Sequence, residues 1–122
     1  MSCLFESLAI FFKHGNHQKI RNDICNYLEQ NKPIIDGLET KFILSLENPN
    51  YIRAMRMLST WGGGIEIQVA CNIWRLRIIV HNLQQQRNNK IEFLPILGEY
   101  YHTIEIAWTG NHYTPLKKYS KK

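Results

Sequence analysis

A chain of 122 residues with 44% hydrophobic side chains is expected to form one domain with its own core, and no apolar stretch is long enough to span a bilayer. The formal net charge of +5 could draw the protein to polyanions, but much of the excess sits in Lys117, Lys118, Lys121 and Lys122. No strand interleaves basic and aromatic residues as a base-stacking surface does, so no specific nucleic-acid partner is expected.

In chain order, Cys3 to about Lys13 carries Leu4, Phe5, Leu8, Ala9, Phe11 and Phe12, a broad apolar face that predicts a deeply buried helix closed by Gly15-Asn16. From His17 to Glu29, Ile20, Ile24, Tyr27 and Leu28 recur at helical spacing, which predicts a second helix with Lys19, Arg21, Asp23 and Asn26 facing outward. Asn31-Lys32-Pro33 breaks the chain, and the segment from Gly37 to Leu46 is ambiguous. Asn48-Pro49-Asn50 reads as a start signal for a third amphipathic helix reaching about Ser59. After a turn at Trp61-Gly62-Gly63-Gly64, a fourth helix is expected from Ile65 to Ile73.

The apolar period then changes to two. Trp74, Leu76, Ile78 and Val80 alternate along a strand, Gln84 to Asn89 is a polar loop, and further strands are expected over Ile91–Leu97, Thr103–Trp108 and His112–Leu116. Helices first and strands afterwards indicate an α+β fold, a small and mainly antiparallel sheet packed against helices. The domain is expected over residues 1–116, with a basic C-terminal tail over 117–122. The first residues do not form a basic segment followed by an apolar run and a small-residue cleavage site, so a cytoplasmic protein is expected.

The three cysteines do not pair by spacing into a disulfide framework or a zinc site, and no metal or other cofactor is expected. Cys25 and Cys71 lie inside apolar patterns and read as small buried hydrophobes. Cys3 instead stands where a helix begins, a position that favours a thiolate. With a histidine folded against it, such as His112 near the other end, it would form the thiolate–imidazolium pair of a cysteine hydrolase. His14, His17, His81 and His102 read as surface or capping residues. The Gly62-Gly63-Gly64 run admits two readings, a tight connection under a core-capping Trp61, or a narrow slot without side chains for an extended peptide.

Cys3-Leu4-Phe5-Glu6-Ser7, Trp61-Gly62-Gly63 with Glu66-Ile67, and His112-Tyr113, taken in order, resemble the nucleophile, Trp-Gly-Gly and histidine strings of the ovarian-tumour (OTU) family of cysteine proteases. The resemblance runs from Cys3 to Leu116 and implies an OTU-like fold. It also implies a deubiquitinase in which Cys3 forms a thioester with the C-terminal Gly-Gly of ubiquitin or a ubiquitin-like modifier and His112 moves the proton. Trp61, Gly62, Gly63, Trp108 and Asn111 would then flank the substrate tail.

Two positions depart from the family pattern. The family's Asp-Gly-x before the cysteine is not matched, the sequence given reading Met1-Ser2-Cys3, and Thr114 stands two residues after the histidine, where Asp or Asn is common. Thr114 is therefore the candidate third catalytic residue, bringing a hydroxyl but no charge. The expected partners are ubiquitin or ubiquitin-like conjugates, the expected state is a monomer, and the small size suits a viral-type member. Two alternatives stay open: an OTU-fold module that binds ubiquitin without cleaving it, and a small basic nucleic-acid-associated protein.

Overall fold

The computed structural model describes residues 2–13, 15–84 and 89–116. In chain order these form α1 (Cys3–Ala9), α2 (His17–Glu29), α3 (Thr40–Glu47), α4 (Tyr51–Met55) and α5 (Gly64–Trp74), then β1 (Leu76–Asn82), β2 (Asn89–Phe93), β3 (His102–Trp108) and β4 (Tyr113–Pro115). The strands make one sheet in the order β2-β1-β3-β4. The outer pairings, β1 with β2 and β3 with β4, are antiparallel, and the central pair β1–β3 is parallel. The fold is thus the α+β layout read from the sequence, with one parallel pairing at its centre. The chain reaches that pairing by crossing the start of β1, where the Tyr101 N–H donates to the Arg75 carbonyl at 2.8 Å. His14, residues 85–88 of the polar loop and the basic tail over 117–122 lie outside the described residues.

The alternating residues of β1, Leu76, Ile78 and Val80, are buried, and so are Ile104 and Ile106 of β3. The parallel register sets Ile78 beside Ile104 and Val80 beside Ile106. Helices close over this face with Leu4, Phe5 and Leu8 of α1, Ile24 and Leu28 of α2, and Ile67, Val69 and Ala70 of α5, none more than 1% exposed. Burying side chains of this size contributes about 1.5–3 kcal/mol each before entropy is counted.

Several boundaries differ from the sequence expectation, each for a local reason. Helix α1 ends at Ala9, not near Lys13, because the next turns tighten: Phe11 and Phe12 donate to the Leu8 and Ala9 carbonyls at 3.1 Å. The ambiguous segment contains α3, whose first turn is tied back to the preceding break. Thr40 Oγ1 donates to the Lys32 carbonyl at 2.5 Å, and the Lys41 N–H donates to Asn31 Oδ1 at 2.9 Å. Helix α4 ends at Met55 rather than Ser59. There Arg21 takes the Met55 carbonyl at 2.7 Å, and Thr60 Oγ1 takes that of Ala54 at 2.5 Å.

Helix α5 runs through Trp74 to a left-handed Arg75 (φ 56°), which delays β1 to Leu76. β2 stops at Phe93 instead of Leu97. Gln68 Nε2 donates to the Leu94 carbonyl (2.7 Å), Asn72 Oδ1 accepts the Ile96 N–H (2.9 Å), and Pro95 between them has no N–H for a ladder. The largest correction concerns Arg21. Placed outward by the helical pattern, it is fully buried.

Gly62 lies so close to α1 that an added Cβ would stand 2.8 Å from Leu4 Cδ2 and 2.9 Å from Phe5 Cζ, whereas one at Gly64 would meet nothing within 4 Å. Gly62→Ala is therefore expected to lower stability by about 1–3 kcal/mol through overpacking. Gly64→Ala, at a helical position, should hold or raise it by up to about 1 kcal/mol. Urea unfolding of the two variants checks the contrast.

Candidate active site

Cys3 is the first residue of α1 and is half-buried. Its neighbours Leu4 and Phe5 are wholly inside, so the helix start is fixed by packing. The sulfur accepts the backbone N–H of Tyr113 at 3.5 Å. One turn along, the buried Ser7 donates its hydroxyl to the Tyr113 carbonyl at 3.1 Å. Helix α1 thus grips both backbone polar groups of the residue that follows His112.

On the other side, Tyr113 is held by β3, opposite Trp108 in the ladder, with the two rings 4.8 Å apart. The connection between β3 and β4 is a turn through Gly110 (φ 101°). At its end the His112 N–H donates to Thr109 Oγ1 at 3.3 Å, and the His112 carbonyl accepts the Thr109 N–H at 3.0 Å. The His112 ring lies against Trp61, with ring centroids 5.6 Å apart and planes inclined at 31°.

The structure therefore brings Cys3, His112, Trp61, Gly62 and Trp108 into one neighbourhood. Gly63 caps α5 beside them. Asn111 is exposed in the turn, and Thr114 is exposed on β4 opposite Ala107. Among the described residues no hydrogen bond joins the His112 ring to Thr114 or Asn111.

Beneath the Trp-Gly-Gly loop lie two buried charges. Glu66, 1% exposed, accepts the Gly63 N–H at 2.8 Å and the Tyr51 hydroxyl at 2.6 Å. This is the reciprocal half of a capping box, the half open to a glycine cap. Burial pushes the Glu66 carboxyl above its ordinary range, against the pull of those hydrogen bonds and of Arg21. Tyr51 is pushed up as well, by burial and by Glu66.

Arg21 lies 4.2 Å over the Phe5 ring and reaches the Met55 carbonyl (2.7 Å), Ser2 Oγ (3.3 Å) and the Leu58 carbonyl (3.5 Å). Burial lowers its pKa, with Cys25 and Glu66 opposing. One side chain therefore joins the residue before Cys3 to the segment that leads into Trp61.

The remaining candidates are structural. Cys25 and Cys71 are fully buried, and burial pushes their thiols up to about 11 and about 12. His81 Nε2 pairs with Glu105 at 2.6 Å across the central strands, and His102 is exposed where β3 begins. The sequence reading missed what Ser7, Arg21 and Tyr51 do. For Ser7 the signal was a hydroxyl on the same helical stripe as Leu4 and Leu8. For Arg21 it was the four-residue step to the buried Cys25. Tyr51 gave none beyond its helical spacing.

A thiol at a helix start thus holds the backbone next to a histidine, the two residue types that a thiolate–imidazolium pair combines. The OTU-like cysteine protease family model matches residues 2–113, and the chain belongs to that family. No curated protein matches the chain in sequence.

Among solved structures, an ovarian tumour (OTU) domain in complex with ubiquitin aligns with a TM-score of 0.73 and 23% identity, over 93% of this chain and 62% of that one. The present chain thus spans less than two thirds of that relative's length. The viral OTU domain protease from Dera Ghazi Khan virus gives a TM-score of 0.67 at 17% identity, over 93% of this chain and 72% of the other. An OTU deubiquitinase from Wolbachia pipientis wMel, bound to ubiquitin, gives 0.65 at 18%, over 94% and 88%. At such identities the likeness is one of fold.

Two outcomes follow from the geometry. At about pH 8 iodoacetamide should modify Cys3 alone in the native protein and all three cysteines in denaturant, read by peptide mass spectrometry, since buried thiols are inert. Removing the Glu66 carboxyl by Glu66→Ala should cost about 3 kcal/mol, because Tyr51, Gly63 and Arg21 lose a buried partner. Glu66→Gln can still accept the Gly63 N–H and can donate its amide to the Tyr51 oxygen. As burial raises the folded pKa of Glu66, its contribution is full at low pH and falls as pH rises. The stability of wild type relative to Glu66→Gln should therefore fall from about pH 4 to about pH 7. Wild type gaining on Glu66→Gln over that range in urea unfolding would refute this.

Proposed function

We propose that this chain is a deubiquitinase, hydrolysing the peptide or isopeptide bond after the C-terminal Gly-Gly of ubiquitin or a ubiquitin-like modifier. The observation that carries the reading is the contact of Cys3 Sγ with the backbone N–H next to His112. It occurs in a family and fold whose solved members include domains bound to ubiquitin.

In this mechanism the Cys3 thiolate attacks the carbonyl carbon of the terminal glycine, and the C–N bond breaks as His112 passes a proton to the leaving amine. Water then attacks the thioester, with His112 taking its proton, and releases the carboxylate and Cys3. Trp61 to Gly64 and the segment from Trp108 to Asn111 border the path of the tail. Room for an added Cβ at Gly63 and Gly64 supports this, because those positions need no glycine for packing. An isolated Gly-Gly tail, with no side chains, is the chemistry such a border admits.

The test is ubiquitin carrying an electrophilic group at its C-terminus. Wild type should gain one ubiquitin, covalently attached at Cys3. Cys3→Ala should gain none, and His112→Ala should react at least about 100-fold more slowly, the scale of a lost general acid–base group. Binding of ubiquitin by wild type without covalent addition would favour the non-cleaving module instead.

A further inference from the structure

We propose that Trp61 is the positioning residue for His112, performing with its π face the orienting task usually given to a hydrogen-bonded carboxylate. The inference rests on the reading of Cys3 and His112 as the reacting pair and goes beyond it. The backbone of His112 is pinned on both sides, by its N–H and carbonyl to Thr109 and by the capture of Tyr113 on α1. What remains free is rotation of the ring about its side-chain torsions. Among the described residues the ring contact is the Trp61 indole, at 5.6 Å and 31°. That separation lies within the range of favourable aromatic pairs.

The backbone that carries the indole, itself 43% exposed, is anchored on both sides. Behind it Thr60 donates its N–H to Met57 at 3.0 Å and its hydroxyl to Ala54 at 2.5 Å. Ahead of it Gly62 is wedged on Leu4 and Phe5, the residues directly after Cys3. The same close packing that sets the nucleophile therefore sets the wall against which the imidazole rests. An indole face carries negative quadrupole density, so it also attracts the imidazolium that accompanies a Cys3 thiolate. Thr114, exposed on β4, supplies no charge for that purpose.

The test needs no protein substrate. Iodoacetamide alkylation of Cys3 at neutral pH reports the thiolate–imidazolium pair, and NMR of the His112 ring protons reports the stack through the indole ring current. Trp61→Ala should alkylate about two- to fivefold more slowly than wild type, the size of an exposed cation–π contact. Its His112 ring signals should also move downfield. Trp61→Phe should keep more than about half of the rate, while Trp61→Leu, with apolar bulk but no π face, should fall with alanine.

A wild-type rate in Trp61→Ala, unmoved His112 signals, or Leu behaving as Phe each overturns the proposal. If His112→Ala alkylates as fast as wild type, the reacting pair itself fails and the proposal falls with it. If wild type ignores the ubiquitin probe while the alkylation series holds, only the substrate assignment fails.

Discussion

Both backbone polar groups of Tyr113 are spent on helix α1, its N–H on the Cys3 sulfur and its carbonyl on the Ser7 hydroxyl. These two contacts close a loop of 110 residues between the first helix and the last strand. Neither is strong alone, since a net hydrogen bond is worth about 1 kcal/mol. Their value is geometric. A rigid helix start held by Leu4 and Phe5 meets a strand end held by the β3 ladder, and the residue between is His112. Together the two contacts bring the thiol-bearing helix start and the segment that carries the imidazole side by side.

The buried charges serve the same geometry. Arg21 and Glu66 are each almost without exposure and attract one another, and among the described residues Arg21 bonds Ser2, Met55 and Leu58 while Glu66 accepts from Tyr51 and Gly63. Burying such charges is expensive, and apolar residues would often stabilise a core as well. An apolar side chain could not, however, tie Ser2 to the end of α4 and so to the approach of Trp61. The charges order the Trp-Gly-Gly loop and the residue before Cys3 from beneath.

The two sides of the site are packed differently. The side made by α1 and the Trp61-Gly62 step is packed to contact distance, as the space around Gly62 demonstrates. The side made by the Thr109–His112 turn is exposed and held by a few hydrogen bonds.

Much of this was legible in the sequence. Apolar periods of 3.6 and then 2 placed four of the five helices and every strand, because burial on one face repeats with the local geometry. The strings around Cys3, Trp61 and His112 also named the residues that the fold brings together. What the sequence left open was decided by contacts distant along the chain. Helix α4 stops where Arg21, 34 residues away, takes a carbonyl, and β2 stops where Gln68 and Asn72 capture its backbone.

Arg21 looked like a surface residue because its type is polar, and only the packing of α2 against α1 and α4 made it a buried tie. The parallel β1–β3 pairing and the resting place of the His112 ring belong to the same class. Residue types and their spacing determine which side chains are available and on which face, by local geometry. Which of them touch is settled when segments far apart in sequence compete for the same core volume and the same backbone hydrogen bonds, and only the tertiary structure records that outcome.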